Sequence, residues 1–292
     1  MLEGSVVALI TPFDENGNID YCKLGELIEF QYQNNTKNLL VLGTTSESSS
    51  MSEKEKVELL LYVIMKIKKR MKLVVGVTSN NTLTAVKNAQ KYEAMGANYL
   101  LVITPYYNKC NTDGLINHFT LIADSVNIPV ILYNVPSRTN LNIGCEVIKS
   151  LKKHPNIIGI KEASNDINHI IETSLLCDDK FCLYCGNDEL LIVFILMGCK
   201  GAFNVYGNID PRLMNSYFEE KDIFRLKDLH AKYYELFKLL FVEVNPIPIK
   251  ALMNYQGFKV GDYRLPLTKM NELNFKKLVS KYNERYNLSK TV

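Results

Sequence analysis

One feature constrains this chain more than any other: a short apolar run, a turn and a stretch of helical periodicity recur in that order eight times. The runs cover residues 5–10, 39–42, 73–77, 99–103, 129–132, 157–160, 181–185 and 201–205. They are apolar at successive positions, so both faces of each run must be buried. Parallel strands covered by helices meet that demand. Eight such units without a long unstructured insert predict an α/β fold, a closed (β/α)8 TIM barrel over residues 1–222, with an open doubly wound sheet as the weaker alternative.

The helical stretches carry their own punctuation. Asp20 has the character of an N-cap for a helix through about Gln33. Ser52, followed three residues on by Glu55, has the form of a capping box for a helix to about Arg70. Further helices are expected over 82–95, 114–125, 145–152, 165–176, 188–197 and 211–218. Beyond Ile223 the strand signals stop while helical periodicity continues through 226–242, 248–255 and 271–286. This predicts a C-terminal helical extension over 223–292, with Pro246 and Pro248 suited to a turn leading into a helix.

Composition narrows the function class. With 292 residues, 47% hydrophobic and 22% charged, the chain has ample material for one large core. The net charge is only +3, and the basic run from Lys66 to Lys72 falls at the end of an expected helix, where cations favour the dipole. No nucleic-acid partner is implied. The longest apolar run, 190–197, is too short for a bilayer, and the amino terminus lacks a basic leader, so no membrane partner and a cytoplasmic location are expected.

Seven scattered cysteines point to reduced thiols. Cys182 and Cys185 lie three apart along a strand and should face opposite ways, which argues against a zinc or redox pair. The four histidines show no ligand spacing, so neither a metal nor a cofactor is expected.

In a barrel of this kind the site lies at the C-terminal ends of the strands. The polar residues ending each run are therefore candidates: Thr44 and Thr45, Tyr106 and Tyr107, Tyr133 and Arg138, Lys161, and Gly186-Asn187-Asp188. Lys161 closes an otherwise buried strand. If it points inward, alternation sends Gly159 and Ile157 inward and Ile158 and Ile160 toward the helices, with Gly159 leaving room beneath the amine. An amine in an apolar cavity can attack carbonyls to give a Schiff base. Tyr133, on the adjacent strand end, is the nearest proton shuttle. Arg138 offers a bidentate fork for a carboxylate, and Thr44 and Thr45 offer donors for a smaller anionic group. The set suits joining or splitting two carboxylate-bearing carbonyl compounds.

Five motifs in order, Gly43-Thr44-Thr45-Ser46-Glu47-Ser48, Pro105-Tyr106-Tyr107-Asn108-Lys109, Tyr133-Asn134-Val135-Pro136-Ser137-Arg138-Thr139, Gly159-Ile160-Lys161-Glu162-Ala163-Ser164 and Asn245-Pro246-Ile247-Pro248, span essentially the whole chain. With them the sequence resembles the class I pyruvate-dependent aldolases of the dihydrodipicolinate synthase family. The resemblance implies Lys161 as the Schiff-base lysine for pyruvate and Tyr133 as general acid/base. Thr44 would link Tyr133 to Tyr107, which in that family reaches into a neighbouring subunit. Thr45 would hold the pyruvate carboxylate and Arg138 that of aspartate 4-semialdehyde. Gly186 and Val205 would line the site with backbone carbonyls. The implied reaction is condensation of the two substrates in lysine and diaminopimelate biosynthesis, by a homotetramer of tight dimers. N-acetylneuraminate lyase, a 2-keto-3-deoxy-sugar-acid aldolase and a non-catalytic keto-acid-binding barrel are the alternatives.

Two departures carry expectations of their own. The family usually has glycine where this chain has Ser46, so the serine is strained if that position needs positive φ. Lysine-inhibited relatives carry imidazoles and a carboxylate near an interface site, where this chain has Glu53, Lys56 and Thr84. Lys56 would repel a cationic effector, which predicts weak or absent feedback by lysine.

Overall fold

A computed structural model describes residues 1–287 of the chain; the last five residues of the expected extension, 288–292, lie outside them. The eight runs form strands β1 (Gly4–Ala8), β2 (Asn38–Val41), β3 (Lys72–Val77), β4 (Tyr99–Ile103), β5 (Val130–Asn134), β6 (Ile157–Glu162), β7 (Cys182–Cys185) and β8 (Gly201–Asn204). They pair in sequence order, all parallel, and β8 returns to β1, so the barrel is closed and leaves no sheet edge.

Helices α1 (Tyr21–Gln33), α2 (Glu53–Ile67), α3 (Thr82–Met95), α4 (Thr112–Asp124), the short α5 (Pro136–Thr139), α6 (Cys145–Leu151), α7 (Ile167–Leu176), α8 (Leu191–Leu196) and α9 (Pro211–Glu219) connect the strands. The Asp20 side chain caps α1 by accepting from Lys23 N at 2.9 Å. The Ser52–Glu55 capping box forms in both directions, at 3.3 and 2.8 Å. α2 stops at Ile67, three residues short of expectation, because Lys68 takes the left-handed conformation and accounts for the turn. Arg70 then stacks over the Tyr32 ring at 4.0 Å and pairs with Glu29, so the basic run ends a helix.

Two cores follow from the alternation along the strands. Val7, Leu39, Val75, Val102, Leu132 and Ile160 join the layer between sheet and helices, while Val6, Leu40, Val74, Leu101, Ile131 and Phe203 fill the barrel. Cys182 packs inside the barrel and Cys185 in the outer layer, on opposite faces. All seven cysteines are free thiols.

Three expectations need correction. β5 and β6 run further than their apolar stretches, to Asn134 and Glu162, because polar side chains do not interrupt the ladder: Tyr133 is the register partner of Lys161, and Lys161 of Tyr184. At the start of β6 the alternation breaks. A bulge pairs Val130 with Ile157 but Ile131 with Gly159, so Ile157 packs in the outer core and Ile158 against the barrel interior, the reverse of a regular strand. The expected helix over 188–197 is a 3-10 turn, Asp188–Leu190, followed by α8, since Asp188 turns inward to bind backbone amides.

The extension comprises α10 (Ile223–Leu239), α11 (Ile247–Tyr255) and α12 (Glu272–Tyr286). It packs onto the barrel: Phe13 N donates to Val260 O at 3.1 Å, and the Tyr286 hydroxyl meets Tyr206 and Asp210, each at 2.9 Å.

Candidate active site

At the C-terminal mouth of the barrel lies a cavity of about 520 Å3. Thr44, Thr45, Tyr133, Arg138, Lys161, Gly186 and Val205 all line it. Lys161, only 6% exposed, projects from the penultimate position of β6. Its Nζ sits 3.9 Å from the centre of the Tyr133 ring and 5.2 Å from that of Phe203. Among the described residues no carboxylate pairs with this amine. An unpaired buried lysine is costly in a fold and is reserved for chemistry far more readily than for stability.

The space around that lysine comes from Gly186. A Cβ there would lie 2.7 Å from Ala163 Cβ and 3.0 Å from Lys161 Cε. Gly159 serves something else: its Cβ would lie 2.3 Å from Cys182 O, so its absence lets β7 pair closely with β6. The room expected beneath the amine is thus supplied by the residue that follows β7.

Behind the lysine, Glu162 faces away from the barrel, as alternation requires, and is fully buried. It accepts from Ser164 N at 2.7 Å and Asn134 Nδ2 at 2.8 Å, with His169 Nε2 at 3.2 Å. The carboxylate raises the His169 pKa above its ordinary value. This cluster ties the ends of β5 and β6 together, and hence Tyr133 to Lys161. Its only trace in the sequence is a carboxylate on the outer face of a buried strand, which must find partners.

Asp188, also buried, accepts from Val205 N at 3.0 Å and Tyr206 N at 2.8 Å, and burial pushes its pKa up to about 6. It fixes the turn after β8. The Val205 carbonyl accepts from Asn208 N at 3.1 Å and Asn208 Nδ2 at 2.8 Å, so both its lone pairs are used within that turn. Val205 therefore shapes the wall and has no free acceptor for a ligand.

The loop after β2 is held from the extension. Thr45 Oγ1 accepts from Asn245 Nδ2 at 2.9 Å, and Arg138 Nη2 donates to Asn245 O at 3.0 Å. Ser46 is unstrained: it is absent from the residues with positive φ, and its hydroxyl donates to Leu9 O at 2.8 Å. The left-handed residues of this loop are Leu42, φ 55°, and Glu47, φ 56°, and the Glu47 carboxylate binds Lys250 Nζ at 2.9 Å and Arg264 N at 3.1 Å.

Tyr107 stands apart. It is 93% exposed with φ 72° and does not line the cavity, and no hydrogen bond joins it to Thr44 or Tyr133 among the described residues. Sequence reasoning missed Phe203, Glu189 and Asn245 as lining residues. For Asn245 the signal was at hand, in the Asn-Pro-Ile-Pro motif.

Known proteins share this sequence pattern and fold along nearly the whole chain. The model of the dihydrodipicolinate synthetase family matches residues 1–284. The 4-hydroxy-tetrahydrodipicolinate synthase of Caldicellulosiruptor saccharolyticus is 44% identical over 277 residues, 94% of each chain. The crystal structure of dihydrodipicolinate synthase from Aquifex aeolicus superposes with a TM-score of 0.94 at 36% identity, covering 100% of both chains. That of the Cyanidioschyzon merolae enzyme with lysine bound superposes at 0.93 and 30% identity, covering 98% of each.

Proposed function

The chain belongs to the dihydrodipicolinate synthetase family, and we propose that it performs the family's reaction through the buried amine of Lys161. It condenses pyruvate with aspartate 4-semialdehyde to give 4-hydroxy-tetrahydrodipicolinate, a step of lysine and diaminopimelate biosynthesis. The observation that carries the mechanism is an unpaired, nearly buried lysine against a tyrosine ring in a cavity that also holds an arginine.

Lys161 Nζ attacks C2 of pyruvate and water leaves, giving an imine. Loss of a C3 proton gives the enamine, whose C3 attacks the aldehyde carbon and leaves a hydroxyl. The amino group of the second substrate then adds to C2 and displaces Lys161, closing the ring and freeing the amine. Tyr133, on the register partner of Lys161, carries the protons. Thr45 holds the pyruvate carboxylate and Arg138, at the rim, that of the semialdehyde. Thr44 lies on the same wall. Gly186 gives the lysine stem its space, and Val205 contributes the wall beside it.

Tyr107 acts in an assembly. Its exposed ring, on a loop that hydrogen bonds join to Asn80, three residues before Leu83 at 71% exposure, fits a tight dimer in which each copy lends Tyr107 to the other's Thr44 and Tyr133. Ile167, Ile171 and Leu175 form an exposed apolar stripe at helical spacing on α7, suited to pairing dimers into a homotetramer. No helix among the described residues is long and apolar enough to cross a membrane, and we assign the enzyme to the cytoplasm, without cofactor or metal.

A non-catalytic keto-acid sensor would gain nothing from an unpaired buried amine. The sugar-acid aldolase readings lose to the relatives, which carry the synthase name. Incubation with pyruvate, borohydride reduction and mass measurement test the chemistry: a pyruvyl adduct on Lys161 is expected, and its absence removes every imine mechanism. Turnover with aspartate semialdehyde in preference to sugar-acid substrates tests the partner.

A further inference from the structure

The turn that carries Thr44 and Thr45 is fastened by groups that stand outside the cavity. Glu47 N donates to Thr44 O at 3.0 Å, closing a turn over residues 44–47, and Glu47 itself is left-handed, φ 56°. That conformation is disfavoured for a residue with a β-carbon, whereas glycine takes it freely. The Glu47 side chain is also buried, 1% exposed, which is unfavourable for a carboxylate unless its oxygens find partners.

Both oxygens do, and both partners come from the C-terminal extension. Lys250 Nζ, on α11, donates to Oε1 at 2.9 Å, and Arg264 N donates to Oε2 at 3.1 Å. Lys250 is anchored in turn: its Nζ donates to Asp262 O at 2.6 Å and lies 4.5 and 5.2 Å from the ring centres of Phe13 and Tyr263. Arg264 Nη1 reaches further along the same loop and donates to Ser50 O at 3.1 Å. Thr44 and Thr45 line the cavity, whereas Glu47 and Lys250 do not. A turn that needed only a left-handed residue would be made most simply by glycine. What the glutamate adds is a rigid attachment of the turn to the extension.

We propose that the Glu47–Lys250 pair holds the Thr44-Thr45 turn in place for the pyruvate carboxylate, so that Glu47 and Lys250 are positioning residues acting through Thr45. The carboxylate of the second substrate has a different support, because Arg138 Nη2 rests on Asn245 O. The role rests on the condensation reading and adds to it the device that fixes one of its two carboxylate sites.

The test uses the full-length enzyme with Glu47→Gln and Lys250→Met combined, which removes the tether without leaving a charge buried alone. Glu47→Gly combined with Lys250→Met removes the same tether and also relieves the left-handed residue, which guards against loss of folding. For each, two quantities are read beside the Tm: the pyruvate concentration giving half-maximal borohydride trapping, and the KM for aspartate semialdehyde at saturating pyruvate. The first is expected to rise about ten-fold, as befits the loss of one hydrogen bond to a charged group, while the second moves less than about three-fold. A lowered Tm with unchanged half-saturation by pyruvate, or equal weakening of both substrates, overturns the proposal and leaves the pair a purely structural one. Wild-type enzyme that fails to trap pyruvate defeats the condensation mechanism, whereas wild-type trapping with the same half-saturation in both double variants defeats only the positioning role.

Discussion

Lys161 Nζ lies 3.9 Å from the centre of the Tyr133 ring, and the two residues are register partners across β5 and β6. The contact is made by backbone pairing, so it does not depend on loop order. Tyr133→Phe keeps the ring and removes only the hydroxyl. It is expected to lower kcat by about 10^2 to 10^4, the usual worth of a positioned proton donor, while the pyruvyl adduct still forms. Lys161→Ala should show no adduct at all. A Tyr133→Phe enzyme with wild-type kcat would remove the phenol from the mechanism.

A second buried lysine makes the contrast. Lys250 is 0% exposed and pairs with Glu47, donates to Asp262 O at 2.6 Å and lies over the Phe13 ring at 4.5 Å. Burial lowers its pKa, and Glu47 opposes the shift. Lys250→Met alone strands a buried carboxylate and is expected to cost about 3–5 kcal/mol in urea unfolding. The double change Lys250→Met with Glu47→Gln should recover much of that loss. Equal costs for the single and double variants would mean the two groups are not coupled.

Asp188 gives the protein a signature in pH. Its pKa rises from 3.8 in the open chain to about 6 when buried. The native state therefore holds a proton that the unfolded chain has lost across that window. Stability from this group is complete below about pH 4 and declines as pH rises to about 6, by on the order of 2–3 kcal/mol. Asp188→Asn, compared with wild type by thermal melting between pH 4 and 6.5, should flatten that decline whatever its absolute Tm. Parallel pH slopes in the two proteins would contradict the assignment.

Lysine insensitivity is predicted from Glu53, the carboxylate that the family resemblance places at an effector site. It is already held by Lys56 at 2.8 Å and Lys91 at 3.1 Å, and these ammonium groups keep its pKa below the usual range. A cationic effector would have to displace two tethered cations. Steady-state assays should show no inhibition by sub-millimolar lysine, and clear inhibition there would refute the prediction. The Cyanidioschyzon merolae relative solved with lysine bound is a natural control.

The sequence by itself determined the barrel, the number and order of its strands, and the strand ends that meet at its mouth. These follow from local periodicity: runs apolar at every position demand burial on both faces, and a lysine at the end of one such run marks itself. Ser46 and Gly159 show where local reasoning stops. The serine's backbone conformation and the glycine's purpose depend on Leu9 and Cys182, residues that the sequence holds far away. The bulge in β6 likewise belongs to the register between two strands, and one strand's pattern does not contain it. Only the tertiary structure decided that Asn245 meets Thr45 across 200 positions of chain, that Gly186 clears the space for Lys161, and that Tyr107 turns outward to solvent. Periodicity fixes which face a side chain takes. Which distant backbone comes to meet it is settled by closing the barrel and laying the last helices across its mouth.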